Sequence, residues 1–517
     1  MLVNFVIKNR FYDSVLLMQI ANSIKSDFAF EKVSVMMGTE PNLDLMRETG
    51  VLLDTTSVTP NDVVVAFDGA NQDSFDEAFN ALSESLEKRD VSFEKGAEVS
   101  CHSVSSAISQ MPSSNIAFIS LPGPFVRYEA QKALNAGLNV MIFSDNVSLE
   151  DEIALKRSAK EKGLLLMGPD CGTAIIKGKA LGFANIVSSG NVGIAGASGT
   201  GTQELTILLD QKGIGISHAI GTGGRDLSKD VGGITMLTAI DALAKDEETK
   251  VVIVISKPPH PEVAKNVVAA VKATKKPAVI CFMNGDSGNK DEENLLFAVT
   301  IEEAVNKAEF LLTGKQTPLK PFDCELSEMV KRSVELSSVL KEEQKYVRGL
   351  YSGGTICEES IVILKGILGD VWSNTSVYPE LKIGDAKTSK GHTLVDMGDD
   401  EFTRGMPHPM IDFTLRKDRI RKELADPGTA VLLLDVVLGY GSNENPAGEI
   451  AGVIKEERAK GRNFIAVAHI CGTEDDPQNY SRQQRILESA GIIVFPSNAQ
   501  AARFAGLAVT RGKAELK

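Results

Sequence analysis

Short apolar runs punctuate the chain from end to end: VNFVI, VSVMM, VVVAF, IAFISL, VMIF, LLLMG, VGIAGA, VVIVIS and AVICF, with amphipathic stretches between them. Strands covered on both faces call for continuous apolar runs, and strands alternating with helices build parallel sheets. The pattern predicts a multidomain α/β protein, since 517 residues are too many for one core. Breaks in the pattern divide it into a first α/β unit over 1–95, a second over 100–188 and a third over 189–314. A Pro-containing linker and charged helix fill 315–344, and a last α/β unit spans 345–517, with strands expected at Val431–Val437, Phe464–Ala468 and Ile492–Phe495.

A net charge of −14 argues against a nucleic acid or an anionic membrane as partner. The six cysteines (Cys101, Cys171, Cys281, Cys324, Cys357, Cys471) form no C-x-x-C pair, so neither a zinc site nor a disulfide framework is indicated. No metal site is expected. The opening MLVNFVIKNRFYDS has no long apolar segment and no run approaches the length of a membrane span, so a cytoplasmic protein is expected.

The stretch GNVGIAGASGTGTQELTILL reads as a buried strand, a glycine-rich turn at Ser198, Gly199 and Thr200, and a helix start. Such a turn points backbone N–H groups and the positive end of the helix dipole at one spot, which suits a phosphate or carboxylate. YVRGLYSGGTICEESIVILKG repeats the pattern, with Ser352, Gly353, Gly354 and Thr355 in the turn and Glu358 set against Glu204 of the first. Two such termini aimed at one point would make a phosphate site; two independent helix caps would read the same way.

Three polar clusters complete the candidates. DMGDDEFTRGMPHPMID is expected as a loop after the strand His392–Val395. There Arg404 could clamp a carboxylate and His408 could donate to a carbonyl, while Asp399, Asp400 and Glu401 cap a helix or pair with Arg404. HICGTEDDPQN places Gly472 and Thr473 either along a shared cleft or in an acidic surface turn. In TGGRDL, Arg225 adds charge to a ligand site or pairs with a nearby acid.

VGIAGASGTGTQE resembles the phosphate-holding turn of the succinyl-CoA synthetase α subunit and of the wider nucleotide-forming acyl-CoA synthetase superfamily. Upstream, Pro122, Pro124 and Phe125 resemble that superfamily's Pro-x-Pro-Phe turn, and Gly168, Pro169, Asp170 and Cys171 its GPNC-like turn. Downstream, SGGT, LVDMGD, AVLLLDVVLGYGSNENPA and VAHICGTEDDPQ resemble the β subunit's C-terminal domain. With DSVLLMQIANSI, VSVMMGTEPN and DMGDDEFTRGMPHPMID, the chain is identified as a member of the FdrA family. The resemblance implies a Rossmann-like CoA-binding-type unit and flavodoxin-like synthetase domains with parallel sheets. It places phosphate at Ser198, Gly199, Thr200, Gly353, Gly354 and Thr355, and CoA at Pro122, Pro124, Phe125, Gly168, Pro169 and Asp170. CoA is the one cofactor it brings.

The departures narrow the function that the resemblance implies. The superfamily passes phosphate through a histidine in a GHAGA-like segment, but KPAVICFMNGDSGN, from Lys276 to Asn289, has none. Ser256 and Lys257 stand where its supporting glutamate is expected, and no ATP-grasp domain lies between the α-like and β-like parts. A small acyl phosphate or carboxylate is therefore the expected ligand. The family's link to anaerobic allantoin and purine breakdown points to an oxamate carbamoyltransferase subunit with companion subunits, a homo-oligomer, or both. Two alternatives stand: a CoA ligase subunit that takes nucleotide binding from another chain, and a non-catalytic assembly or regulatory protein.

Overall fold

The structure, a computed structural model, describes residues 1–517 apart from 1, 11, 13, 29, 54–56, 70–72, 94–100, 102, 284–289, 404, 405 and 517. The chain divides into two compact units: Met1–Cys101 with Phe402–Asp412, and His102–Glu401 with Phe413–Lys517.

In the first unit, β1 (Leu2–Ile7), β2 (Lys32–Met37) and β3 (Val63–Asp68) form a sheet in the order β1-β3-β2. Both outer strands run antiparallel to β3, which corrects the expectation of a parallel sheet here. The final strand inserts between the first two, as in a split βαβ unit, and periodicity carries no information on strand order. The helices Ser14–Phe28 and Asp73–Phe93 pack on the sheet, and Phe30 stacks on Phe67 and Phe75 at centroid distances of 5.1 and 5.4 Å.

The second unit holds three sheets. A small parallel one has the order β4-β5-β6, with β4 Ile116–Ile119, β5 Asn139–Ile142 and β6 Leu166–Met167. The next element, a hairpin of β7 (Thr173–Ile176) and β8 (Lys179–Gly182), leaves that sheet and pairs antiparallel with a strand of the following one. Residues 173–182 thus lie in the sheet of the expected third unit rather than that of the second. The hairpin turn uses Lys177 and Gly178, both at positive φ (48° and 70°), the geometry of a two-residue primed turn.

The seven-stranded sheet adds β9 (Ser189–Ala197), β10 (Ile216–Gly221), β11 (Val251–Ser256), β12 (Ala278–Phe282) and β13 (Leu295–Ala298), in the order β13-β12-β11-β9-β10-β7-β8. The six-stranded sheet comprises β14 (Tyr346–Tyr351), β15 (Val371–Trp372), β16 (His392–Asp396), β17 (Thr429–Val437), β18 (Ile465–Cys471) and β19 (Ile493–Phe495), in the order β15-β16-β14-β17-β18-β19. Every residue of β11, β12, β17 and β18 is buried, which is why these strands read as apolar runs broken only by Ser256, Thr429, Asp435 and His469. Between the two sheets in sequence, the helix Leu326–Ser337 occupies the linker, and Phe322 is buried against Phe495.

Two facing helix termini as a candidate functional site

β9 and β14 are interior strands of their sheets, and each feeds a helix through its glycine-rich turn: Gly199–Gln211 and Gly354–Leu368. The turns meet. Ser198 Oγ donates to Thr355 Oγ1 at 2.7 Å, and a methyl added to Gly353 would lie 2.5 Å from Thr200 Cγ2. Two helix N-termini therefore face one point, each with first-turn N–H groups that have no acceptor within the helix. The six predicted residues of these turns are brought together, but the turns are not equivalent. Ser198 caps its helix by accepting from Gly201 N at 3.0 Å, whereas Ser352 spends its hydroxyl and N–H on Asp435, leaving Gly353 as the cap. Asp435 is in turn held by Arg416 at 2.5 Å. Ser198→Ala should cost about 1 kcal/mol through the lost cap, read as a lowered urea midpoint.

Further along each helix, a glutamate crosses to the other half. Glu204 and Glu359, each the sixth residue of its helix, accept from the first N–H of a helix beyond the last strand of the opposite sheet. Glu204 Oε1 takes Asn498 N at 3.2 Å, and Glu359 Oε1 takes Ile301 N at 2.9 Å. The counterpart of Glu204 is thus Glu359, not Glu358. Glu204 Oε2 also meets His469 Nε2 at 2.6 Å, while His469 Nδ1 faces Phe495 O at 3.1 Å. Burial opposes charge on His469, but the Glu204 carboxylate outweighs it and the pKa is raised. Burial pushes Glu359 up to about 7.

Glu358 turns instead to Lys257, whose Nζ lies 2.8 Å from Glu358 Oε1. Asp396, at the end of β16, stands beside Gly354, where a methyl would collide with its Oδ2. Burial raises Asp396 to about 7 against the pull of Lys257. Asp170 belongs to the same neighbourhood. Its side chain reaches solvent, yet the protein packed round it, and then the carboxylates of Asp145 and Asp400, push it up to about 7. The Gly168–Asp170 turn touches the TGGRDL loop, for a methyl on Gly224 would lie 3.5 Å from Asp170 Oδ2. Arg225 in that loop spends its guanidinium on Glu152 and on Val147 O, both by hydrogen bonds, so it pairs with a nearby acid. Pro122 caps the helix Gly123–Asn135, which carries Pro124 and Phe125 in its first turn, and Phe125 is exposed.

Other predicted residues take other places. Thr473 Oγ1 donates to Ile186 O at 2.7 Å, and Asp476 accepts from Thr473 N, Asn185 Nδ2 and Ile186 N. A methyl on Gly472 would press on Leu438. Thr473 and Asp476 latch the two halves of the second unit together, and the Thr-x-x-Asp spacing is the signal for this closed turn. Asp399 Oδ1 accepts from Glu401 N at the start of the short helix Asp400–Thr403, in keeping with a capping role. His408 lies in the first unit, where burial lowers its pKa to about 4 and its Nδ1 accepts from Met410 N. It is neutral at ordinary pH. Arg404 lies outside the described residues. Sequence reasoning passed over Lys257 as a site residue and the Glu204–His469 pair altogether.

Three family models match the sequence: CoA-ligase over 350–508, CoA binding domain over 187–284, and "AllF, heavy metal-associated domain" over 1–101. The CoA-binding match falls on β9 to β12, not on the 100–188 stretch. Residues 1–101 include no histidine and a single cysteine, Cys101, so they offer no cysteine pair or Cys/His set for a soft metal. The uncharacterised protein YahF of Escherichia coli (strain K12) is 41% identical over 520 residues, covering 99% of this chain and 100% of that protein. Subunit alpha 2 of the ADP-forming succinate–CoA ligase of Archaeoglobus fulgidus is 32% identical over 145 residues, 27% of this chain and 49% of that one. The chain therefore spans about half the length of that ligase subunit. A solved acetyl-coenzyme A synthetase of Ca. Korarchaeum cryptofilum aligns at 16% identity with a TM-score of 0.32, over 77% of this chain and 83% of that one. Among the described residues, no helix is long and apolar enough to cross a membrane.

Proposed function

The chain belongs to the FdrA family of acyl-CoA-synthetase-like proteins, and from that membership we propose that it is a subunit of a transferase that uses an acyl phosphate. The most specific form of the reading is an oxamate carbamoyltransferase. In that reaction the acceptor amide nitrogen bonds to the carbonyl carbon of carbamoyl phosphate and the C–O bond to phosphate breaks. Phosphate leaves with the electron pair, and the amide proton passes to a base. The observation that carries the reading is the convergence of the two helix termini at Ser198 and Thr355. Fixed N–H donors at that point would stabilise charge on the leaving phosphate without a nucleophilic side chain.

Calorimetry of the full chain tests it. Carbamoyl phosphate and inorganic phosphate should bind in competition, and oxalurate should form once companion subunits are added. Failure of both phosphates to bind would sink the reading.

The CoA-ligase and CoA-binding matches favour a second reading, an acid–thiol ligase subunit. It differs in one measurable respect. The sequence from Lys276 to Asn289 contains no histidine, so incubation with radiolabelled ATP or GTP should leave no acid-labile, base-stable label. Stoichiometric labelling of any histidine would return the ligase to first place.

A further inference from the structure

We propose that Lys257 is the cation that contacts the bound anion: its ammonium donates to the phosphate held between the helices that start at Gly199 and Gly354. This rests on the acyl-phosphate reading above and adds a residue to it.

The backbone puts Lys257 there. β11 runs parallel to β9 with Ser256 opposite Ala197, so Lys257 leaves the sheet alongside Ser198, the cap of the first helix. The ammonium then reaches the second helix. A methyl on Gly354 would lie 3.4 Å from Lys257 Nζ, and Glu358 Oε1 is 2.8 Å from it. One lysine thus stands at both termini.

The ion pair joins a half-exposed lysine to a buried carboxylate. The Lys257 side chain is 41% exposed while that of Glu358 is 4% exposed, and among the described residues Glu358 Oε2 has no hydrogen-bond partner. Here one oxygen anchors a lysine whose ammonium has no second ion-pair partner among the described residues. The surroundings make that cation necessary to an anionic ligand. Asp396 flanks Gly354, Asp170 and Asp400 lie close enough to interact, and Arg225 is committed to Glu152 and Val147 O. Helix dipoles alone would meet the phosphate against a background of carboxylates.

The test is calorimetric titration of the full chain with inorganic phosphate, for wild type, Lys257→Met, Lys257→Gln, Glu358→Gln and Gly199→Val, with a melting curve for each. If Lys257 contacts the anion, both lysine variants lose roughly tenfold or more in affinity. Glu358→Gln, which frees the ammonium, binds phosphate at least as tightly as wild type. Lysine variants that bind like wild type, while Gly199→Val does not, overturn the role of Lys257 and leave the cradle standing. Equal losses of phosphate affinity in the Lys257 and Glu358 variants, accompanied by equal falls in melting temperature, make the pair structural and also overturn it. A wild-type chain that binds no phosphate overturns the acyl-phosphate reading, and this inference with it.

Discussion

Glu204→Ala should cost the second unit about 3–5 kcal/mol, the usual penalty for removing one member of a buried ion pair. The glutamate is 1% exposed and His469 is 0% exposed, so neither has water to fall back on. Two contacts go at once: the 2.6 Å pair with His469 Nε2, and the N–H of Asn498 at the start of its helix. The geometry also favours the charged ring. Both histidine nitrogens face acceptors, a carboxylate and the Phe495 carbonyl, so the doubly protonated ring satisfies both. The pH dependence follows from the sign of the shift. A histidine whose folded pKa is raised stabilises the fold fully below its unfolded value, about 6.5, and that stability is lost as pH rises through the raised value. Glu359, Asp396 and Asp170, each pushed up to about 7, lose stability in the same direction. The informative quantity is therefore a difference. Glu204→Gln keeps an acceptor for Asn498 but no charge, so its urea midpoint should fall less than that of wild type between pH 6 and pH 9. Parallel pH profiles would mean that His469 is neutral in the folded chain.

Much of this arrangement was legible in the sequence because its signals are local. Strand, glycine-rich turn and helix start follow one another within a few residues at Val192–Leu209 and again at Tyr346–Leu368, and the structure realises both. What joins distant segments was not legible. Glu204 and His469 lie 265 residues apart, and nothing near either one marks the other. The pairing of Glu204 with Glu358 failed because one extra glycine in the second turn shifts the count: helical position six is Glu359, and Glu358 faces a quarter-turn away toward Lys257. Lys257 itself registered only as a missing glutamate, since its place beside Ser198 depends on strand register rather than sequence distance. The antiparallel first sheet was hidden for the same reason. The Thr173–Gly182 hairpin had only Gly178 to mark its turn, since lysine is not among the residues that favour the positive φ of Lys177.

Gly199→Val should weaken phosphate and acyl-phosphate binding by about 2–4 kcal/mol, the worth of fixed donors at such a site, with the melting temperature nearly unchanged. The three turn glycines differ in what a side chain would meet. At Gly353 a methyl would press on Thr200, and at Gly354 it would collide with Asp396, so those substitutions confound binding with packing. Gly199 is exposed, and the nearest atom to an added methyl is Thr173 Oγ1 at 3.8 Å, an ordinary contact. It is also the first helical residue, where the N–H has no helix acceptor to lose. A valine there would reach into the space both termini face and hold an anion away from the N–H groups of Gly199 and Thr200. Gly199→Ala, with one methyl, should give a smaller loss in the same direction. Calorimetry with inorganic phosphate and carbamoyl phosphate reads the effect, and a melting curve reads the control. Undiminished binding in Gly199→Val would reduce the paired turns to helix caps that happen to touch. A matching collapse of binding and melting temperature would mean that Gly199 is held by packing on its neighbours, and the phosphate would have to be sought elsewhere.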